Sequence, residues 1–249
     1  MVAFSFLTWF FLAAGCYTGS LLFYLADRNR SARVLLALGL ATHTVSLILR
    51  SLTYAVFTPM NLFTELYFLP WLIACWALFH CCMPRWKAGK QLHLLFPLVL
   101  FTLPAILLPT YPLPPFIQSK SPFAILFFIF EVAAHGAFLM GGWFALRLLR
   151  SKTERTDYHL YAVWGFIFYS IAQVTGAVWC YQGWGVPFSW SERHLFSAAT
   201  WCFYCAYLHL RFSRRWPERE KAWFVLFGGI LVTVSIYAYY LVKPGGTNV

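Results

Sequence analysis

Charge is scarce in this chain. Of 249 residues only 8 are Asp or Glu and 11% are charged in all, against 61% hydrophobic residues and a mean hydropathy of +0.65. A soluble domain of this length would have to leave too much of that apolar surface in water, so the composition points to an integral membrane protein. Several chemistries are excluded by missing motifs. There is no Gly-rich phosphate loop, no His-Glu-x-x-His helix and no carboxylate pair in a plausible soluble cleft. The absence of a Cys-x-x-Cys-His site means that the chain does not carry covalent c-type haem itself. Nor is there a duplicated half with paired Gly/Pro breaks, the usual sequence pointer to a secondary transporter. The seven cysteines are an odd number, set mostly inside apolar runs (Cys16, Cys75, Cys180, Cys202, Cys205), which argues against an external disulfide framework.

What is present is a series of long apolar runs. They cover 3–26, 33–57, 61–83, 92–110, 123–147, 159–181, 195–213 and 222–242, each of roughly 20 residues and long enough to cross about 30 Å of hydrocarbon as a helix. The expected fold is an all-α, polytopic membrane helix bundle of about eight transmembrane helices, forming one integral membrane domain over 1–249. The first run has no Lys or Arg before it and is longer than a usual signal core, so it is expected to stay as the first membrane helix. Of the 19 Lys and Arg, 15 fall in alternate loops, leaving only Arg50, Lys120, Arg193 and Lys243 on the opposite side. The positive-inside rule then puts both termini outside, together with the tryptophan-rich gap at 182–194. The net charge of +11 is thus a topology signal. Its dispersion over short loops speaks against nucleic acid as a partner and leaves the lipid bilayer as the surroundings.

The stretch WCYQGWGVPFSWSERHLFSAATWCFYCAYLH at 179–209 holds four tryptophans, Trp179, Trp184, Trp190 and Trp201, around a short polar gap between two apolar runs. Amphipathic Trp rings settle at the water–lipid boundary, so the gap reads as an aromatic platform on which a flat apolar ligand could lie. Ionisable groups inside a bilayer are costly and usually functional. His80, His93 and His159 fall at predicted helix ends beside basic residues, where they are expected to be wet. His43 lies about ten residues into the second run, roughly 15 Å below its cytoplasmic end, and His209 approaches the same end of the seventh. Two neutral imidazoles facing each other could supply both axial ligands to a haem iron. The alternative is two unrelated histidines, each hydrogen-bonded to a neighbouring backbone group. Glu131 and His135, four apart, share one helix face and are expected to form a pair, primarily structural, that could also serve as a relay. Cys202, Cys205 and His209 share a side of the seventh helix but span nearly two turns, which suits packing better than one tetrahedral metal ion.

The run GAVWCYQGWGVPFSWSERHLFSAATWCFYCAYLHLR resembles the tryptophan-rich signature region of the cytochrome c assembly superfamily, which includes the CcsA and CcmC haem-handling proteins and the HemX proteins. The resemblance extends through DYHLYAVWGFIFYSIAQVTG at 157–176, ATHTVSLILR at 41–50 and PMNLFTELYFLPW at 59–71. It implies that His43 and His209 match the two membrane-embedded histidines that ligate haem b non-covalently. It also implies that Gly176, Trp179, Trp184, Gly185 and Trp190 match positions of the haem platform, and that Glu65 matches an acidic position supporting the external site. The family pattern W-G-x-x-W-x-W-D-x-x-E reads W-G-V-P-F-S-W-S-E-R-H here, so Phe188 replaces a Trp, Ser191 an Asp and His194 a Glu. CcsA-like synthases carry two further external histidines, whereas SPFAILFFIF at 121–130 and VTVSIYAYYLV at 232–242 contain none. His194 is the one histidine left on the outer side, either as a single external ligand or as a solvated surface residue.

Two functions follow from the resemblance. One is haem handling or delivery across a bacterial cytoplasmic membrane for cytochrome c assembly, as the haem-handling subunit of a synthase (haem lyase) with a CcsB-like membrane partner and apocytochrome c. The other is a HemX-like membrane regulator of tetrapyrrole biosynthesis that makes no thioether bond.

Overall fold

The computed structural model describes residues 2–54, 62–82, 92–107, 121–150, 157–213 and 215–242. The described residues form eight α-helices: α1 (Val2–Leu25), α2 (Asn29–Tyr54), α3 (Leu62–Cys82), α4 (Leu95–Leu107, after a 3-10 turn at Leu92–Leu94), α5 (Pro122–Arg150), α6 (Tyr158–Trp184), α7 (Glu192–Phe212) and α8 (Glu218–Val242). These reproduce the eight expected helices with ends shifted by a few residues, in an all-helical polytopic arrangement. Five of them are long and apolar enough to cross a membrane: within α1, α2, α5, α6 and α8. The described part of α4 rises only roughly 20 Å. α7 is diluted by Arg193, His194, His209 and Arg211. Arg85, Lys87, Lys90, Lys120, Lys152, Arg155, Arg214 and Lys243 lie outside the described residues, as does the side chain of Glu65.

The helices fall into two compact units, 1–114 and 115–249. In the first, α1 and α2 pack along a stripe in which Phe6, Phe10, Ala13, Ala14, Tyr17 and Ser20 recur at helical spacing and are buried. Hydroxyl bonds tie both ends of this pair: Ser20 Oγ donates to the Ala32 carbonyl at 2.7 Å and Ser46 Oγ to the Phe6 carbonyl at 2.7 Å. Where water is excluded such bonds hold helices that apolar contact alone would let slide. Gly39 makes the approach possible, since a Cβ there would lie 2.7 Å from the Tyr17 ring. Trp71 Nε1–H donates to Thr44 Oγ1 at 2.9 Å, joining α3 to α2.

In the second unit α5 is the central helix, buried over much of its length and packed against α6 and α8. Glycine again sets the spacing. A Cβ on Gly142 would stand 3.4 Å from the Gly229 Cα, and one on Gly229 3.2 Å from the Gly142 Cα, so α5 and α8 meet backbone to backbone. At Gly165 a Cβ would fall 2.5 Å from the Phe138 ring, which itself stacks on Tyr204 with centroids 3.6 Å apart.

The histidines expected to be wet are not. His80, His93 and His159 are only 6%, 7% and 9% exposed. For His159 the reason is a local polar network. Its Nε2 lies 3.0 Å from Glu218 Oε2, its Nδ1 bonds the Tyr207 hydroxyl, and Lys221 Nζ donates to Glu218 Oε1 at 3.0 Å. These partners lie 48 to 62 residues away and replace the water that proximity to basic loops had suggested.

Candidate functional site

In the first unit the chemistry centres on His43, whose side chain is wholly buried. It sits on the inward face of α2 with Ser46, Leu47 and Arg50, at the i, i+3, i+4, i+7 spacing that aligns side chains along a helix. Its Nδ1 lies 3.1 Å from the Tyr17 hydroxyl, and Phe10 packs edge-on at 5.2 Å. Nε2 is buried without a hydrogen bond of ordinary geometry; the Tyr67 backbone is the polar group near enough to act on it. A buried ring nitrogen left in this state carries an energetic penalty and calls for an explanation. An imidazole that donates Nδ1–H to an oxygen keeps its Nε2 lone pair for a metal, the usual state of a ligating histidine. In that tautomer His43 would fit an axial haem ligand; in the other, the Tyr17 hydroxyl donates to Nδ1 and Nε2–H faces the Tyr67 backbone. Two turns along, Arg50 is also buried, its guanidinium 4.4 Å from the centroid of the Tyr67 ring.

In the second unit the tryptophan-rich segment has a buried and an exposed part. Trp179 is buried and stacks on Phe127 at 5.8 Å, with Phe128 edge-on at 5.6 Å. Gly176 allows this, because a Cβ there would stand 2.8 Å from the Phe127 ring. Trp179 therefore supports the platform and shows little of its own face. Trp184 meets it edge-on at 5.4 Å and is exposed. Gly185 then stops α6 in the left-handed conformation, φ 75°, with its N–H bonded to the Tyr181 carbonyl at 2.9 Å. Beyond it Phe188 and Trp190 pack edge to face at 5.6 Å, and Trp190 is 84% exposed. Trp184, Phe188 and Trp190 thus provide the open apolar surface expected of the gap.

His194 has a structural position that the sequence reading missed. Ser191 is the N-cap of α7 and makes no side-chain cap bond. His194, three residues on, reaches back so that its Nδ1 accepts the Ser189 N–H at 3.1 Å, with Ser189 Oγ at 2.6 Å. This is close to a capping box, in which the N3 side chain takes the N-cap N–H, with the bonded N–H here lying two residues before the N-cap. The family's D-x-x-E at this place reads as the ordinary form, and S-E-R-H as a histidine version of it. The Ser189 carbonyl also lies 3.2 Å from Nδ1; where Nδ1 accepts the N–H, the neutral ring's proton is on Nε2, which points to Cys180 Sγ at 3.6 Å. In that tautomer Nε2 offers no lone pair to iron.

His209 lies exposed on α7, outside the packed interior of its unit. Its Nδ1–H donates to the Cys205 carbonyl at 2.8 Å, which leaves Nε2 with its lone pair outward. Cys202 and Cys205 share this face, and the described residues contain no group of three or more His, Cys, Asp or Glu able to hold a metal ion. Glu131, buried on α5, takes Arg193 as its ion-pair partner at 3.2 Å, and the same guanidinium lies 5.3 Å from the Phe127 ring centroid. The start of α7 is thereby anchored beneath the platform by a residue 62 positions from its partner. His135 packs its ring 5.7 Å from Tyr169.

No family model matches the chain. It is 37% identical over 70 residues to a cytochrome c biogenesis protein CcsA of Prochlorococcus marinus (strain MIT 9515), covering 28% of this chain and 22% of that protein. It is 39% identical over 90 residues to the CcsA of strain MIT 9303 (35% and 28%), and 31% identical over 97 residues to that of Synechococcus sp. (strain RCC307) (39% and 31%). The matched segments therefore span less than a third of these relatives. Among solved structures the fold is similar to that of cytochrome c haem lyase CcmF, with a TM-score of 0.62 at 16% identity, over 95% of this chain and 48% of that one. The chain is thus similar in sequence to proteins named CcsA over part of its length, and similar in fold to CcmF.

Proposed function

We propose that this protein handles haem for cytochrome c assembly, with His43 and His209 each offering an Nε2 nitrogen to haem iron and Trp184, Phe188 and Trp190 offering an apolar surface to the porphyrin. The observation that carries this reading is the wholly buried His43 imidazole, with Nδ1 at the Tyr17 hydroxyl and Nε2 without a hydrogen bond of ordinary geometry. The relatives named CcsA and the CcmF-like fold support a cytochrome c biogenesis role. Haem b is the group such a nitrogen suits, since a neutral imidazole is a common axial ligand of haem iron. His43 is enclosed on all sides, so a ligand reaching its Nε2 must displace neighbouring side chains such as Phe10. We further propose the positive-inside orientation, with both termini and the 182–194 segment outside a bacterial cytoplasmic membrane, and apocytochrome c and a CcsB-like protein as partners.

A second reading keeps haem binding and drops bond formation: a HemX-like regulator of tetrapyrrole synthesis. Its support is that the stretches 121–130 and 232–242, where the synthases carry external histidines, contain none, and that His194 takes the Ser189 N–H at the start of α7. The two readings part in reconstitution. The full chain expressed with a CcsB-like partner and an apocytochrome should yield covalent haem under the first reading and none, despite good expression, under the second. Both require b-type haem on the purified protein, depleted in His43→Ala and in His209→Ala. Unchanged haem in both variants would falsify the ligand assignment.

A further inference from the structure

An open-sided pocket of about 420 Å³ lies in the second unit, walled by Phe203 of α7, Trp216 of the connection, and Glu220, Trp223, Phe224 and Phe227 of α8. Phe203 and Phe224 stack at 4.4 Å to form one wall, and Trp216 meets Phe224 edge-on at 6.4 Å. Among the described lining residues the one ionisable group is the Glu220 carboxylate. The other acid of the same helical turn, Glu218, is occupied by His159, Tyr158 and Lys221. Glu220 has no side-chain partner among the described residues, although Arg211, Arg215 and Arg219 are close in sequence and exposed.

Aromatic faces closed by one carboxylate recognise an ammonium group: ring quadrupoles attract the cation and the carboxylate fixes it. The pocket opens at the first turn of α8, beside the basic segment 211–221, where a lipid headgroup would lie if that segment borders the membrane surface. We propose that this pocket binds the ammonium headgroup of phosphatidylethanolamine, with the lipid phosphate met by the neighbouring arginines and an acyl chain running along Phe227. A porphyrin bearing carboxylates suits it poorly, because Glu220 would repel them. An anionic lipid lacks the cation that Glu220 and the two indoles select.

The test sets the pocket against the net charge. With +11 overall, simple electrostatics favours an anionic lipid. The full chain, purified in detergent, is offered phosphatidylethanolamine and phosphatidylglycerol of matched acyl chains in equal amounts, and the bound ratio is read by native mass spectrometry. The ethanolamine lipid is expected to exceed the glycerol lipid about two- to five-fold, the equivalent of one cation–π contact. Glu220→Gln and Trp223→Ala should each bring the ratio to one or below, and Trp223→Phe should retain part of it. An excess of phosphatidylglycerol or equal binding in the unsubstituted protein overturns the proposal, whatever the variants do. So does a preference that survives in both Glu220→Gln and Trp223→Ala.

Discussion

The Tyr17 hydroxyl on α1 holds Nδ1 of His43 on α2 at 3.1 Å, across the helix pair that forms the heart of the first unit. The bond fixes the ring, and partners of this kind typically change metal affinity by about 10–100-fold. Tyr17→Phe keeps the ring that packs on Gly39 and removes only the hydroxyl. It should weaken haem retention on the order of ten-fold while costing about 1 kcal/mol of stability. Absorbance at the Soret band during haem titration, alongside thermal unfolding, separates the two effects. Equal affinity in the variant would leave Tyr17 as packing alone.

Arg193 and Glu131 make the corresponding bridge in the second unit. Glu131 is nearly fully buried while Arg193 is partly exposed, so removing the arginine takes an ion-pair partner from a buried carboxylate. Arg193→Ala is expected to cost about 2 kcal/mol, and Arg193→Ala with Glu131→Gln less than the sum of the two single changes. A double-mutant cycle by thermal shift in detergent checks this. Additive losses would mean that the pair contributes no coupling.

The contact between Gly142 and Gly229 gives a prediction without any polar chemistry. Gly229→Ala places its Cβ 3.2 Å from the Gly142 Cα, a neighbour that cannot swing aside. The helices must part, at roughly 1–3 kcal/mol. Gly15, whose Cβ would meet nothing within 4 Å, is the control, and Gly15→Ala should be neutral or slightly stabilising. The comparison is read as two unfolding temperatures.

Helix number and extent were legible because a bilayer demands long apolar runs, and α1 to α8 fall where those runs lie. Three things were not. Glu131 finds Arg193 from another helix, a partner that spacing within α5 cannot show. His159 was read as wet from its basic neighbours, whereas Tyr207 and Glu218 enclose it from α7 and α8. His209 falls on an exposed face of α7, because one apolar run says little about which side of its helix meets the others.

His194 shows a signal that was present but unread. A serine followed three residues later by a side chain able to accept a backbone N–H marks a helix start, and S-E-R-H meets that form once histidine is allowed in place of Glu. Restoring the commoner residues with Ser191→Asp and His194→Glu should therefore stabilise α7 by about 0.5–2 kcal/mol, since Ser191 now makes no cap bond. The same protein decides the role of the imidazole. If His194 only caps the helix, the doubly substituted chain keeps its haem spectrum and midpoint potential while its unfolding temperature rises. A changed spectrum at undiminished stability would instead make His194 an iron ligand, and would require its Nδ1 to release the Ser189 N–H so that Nε2 can face the metal.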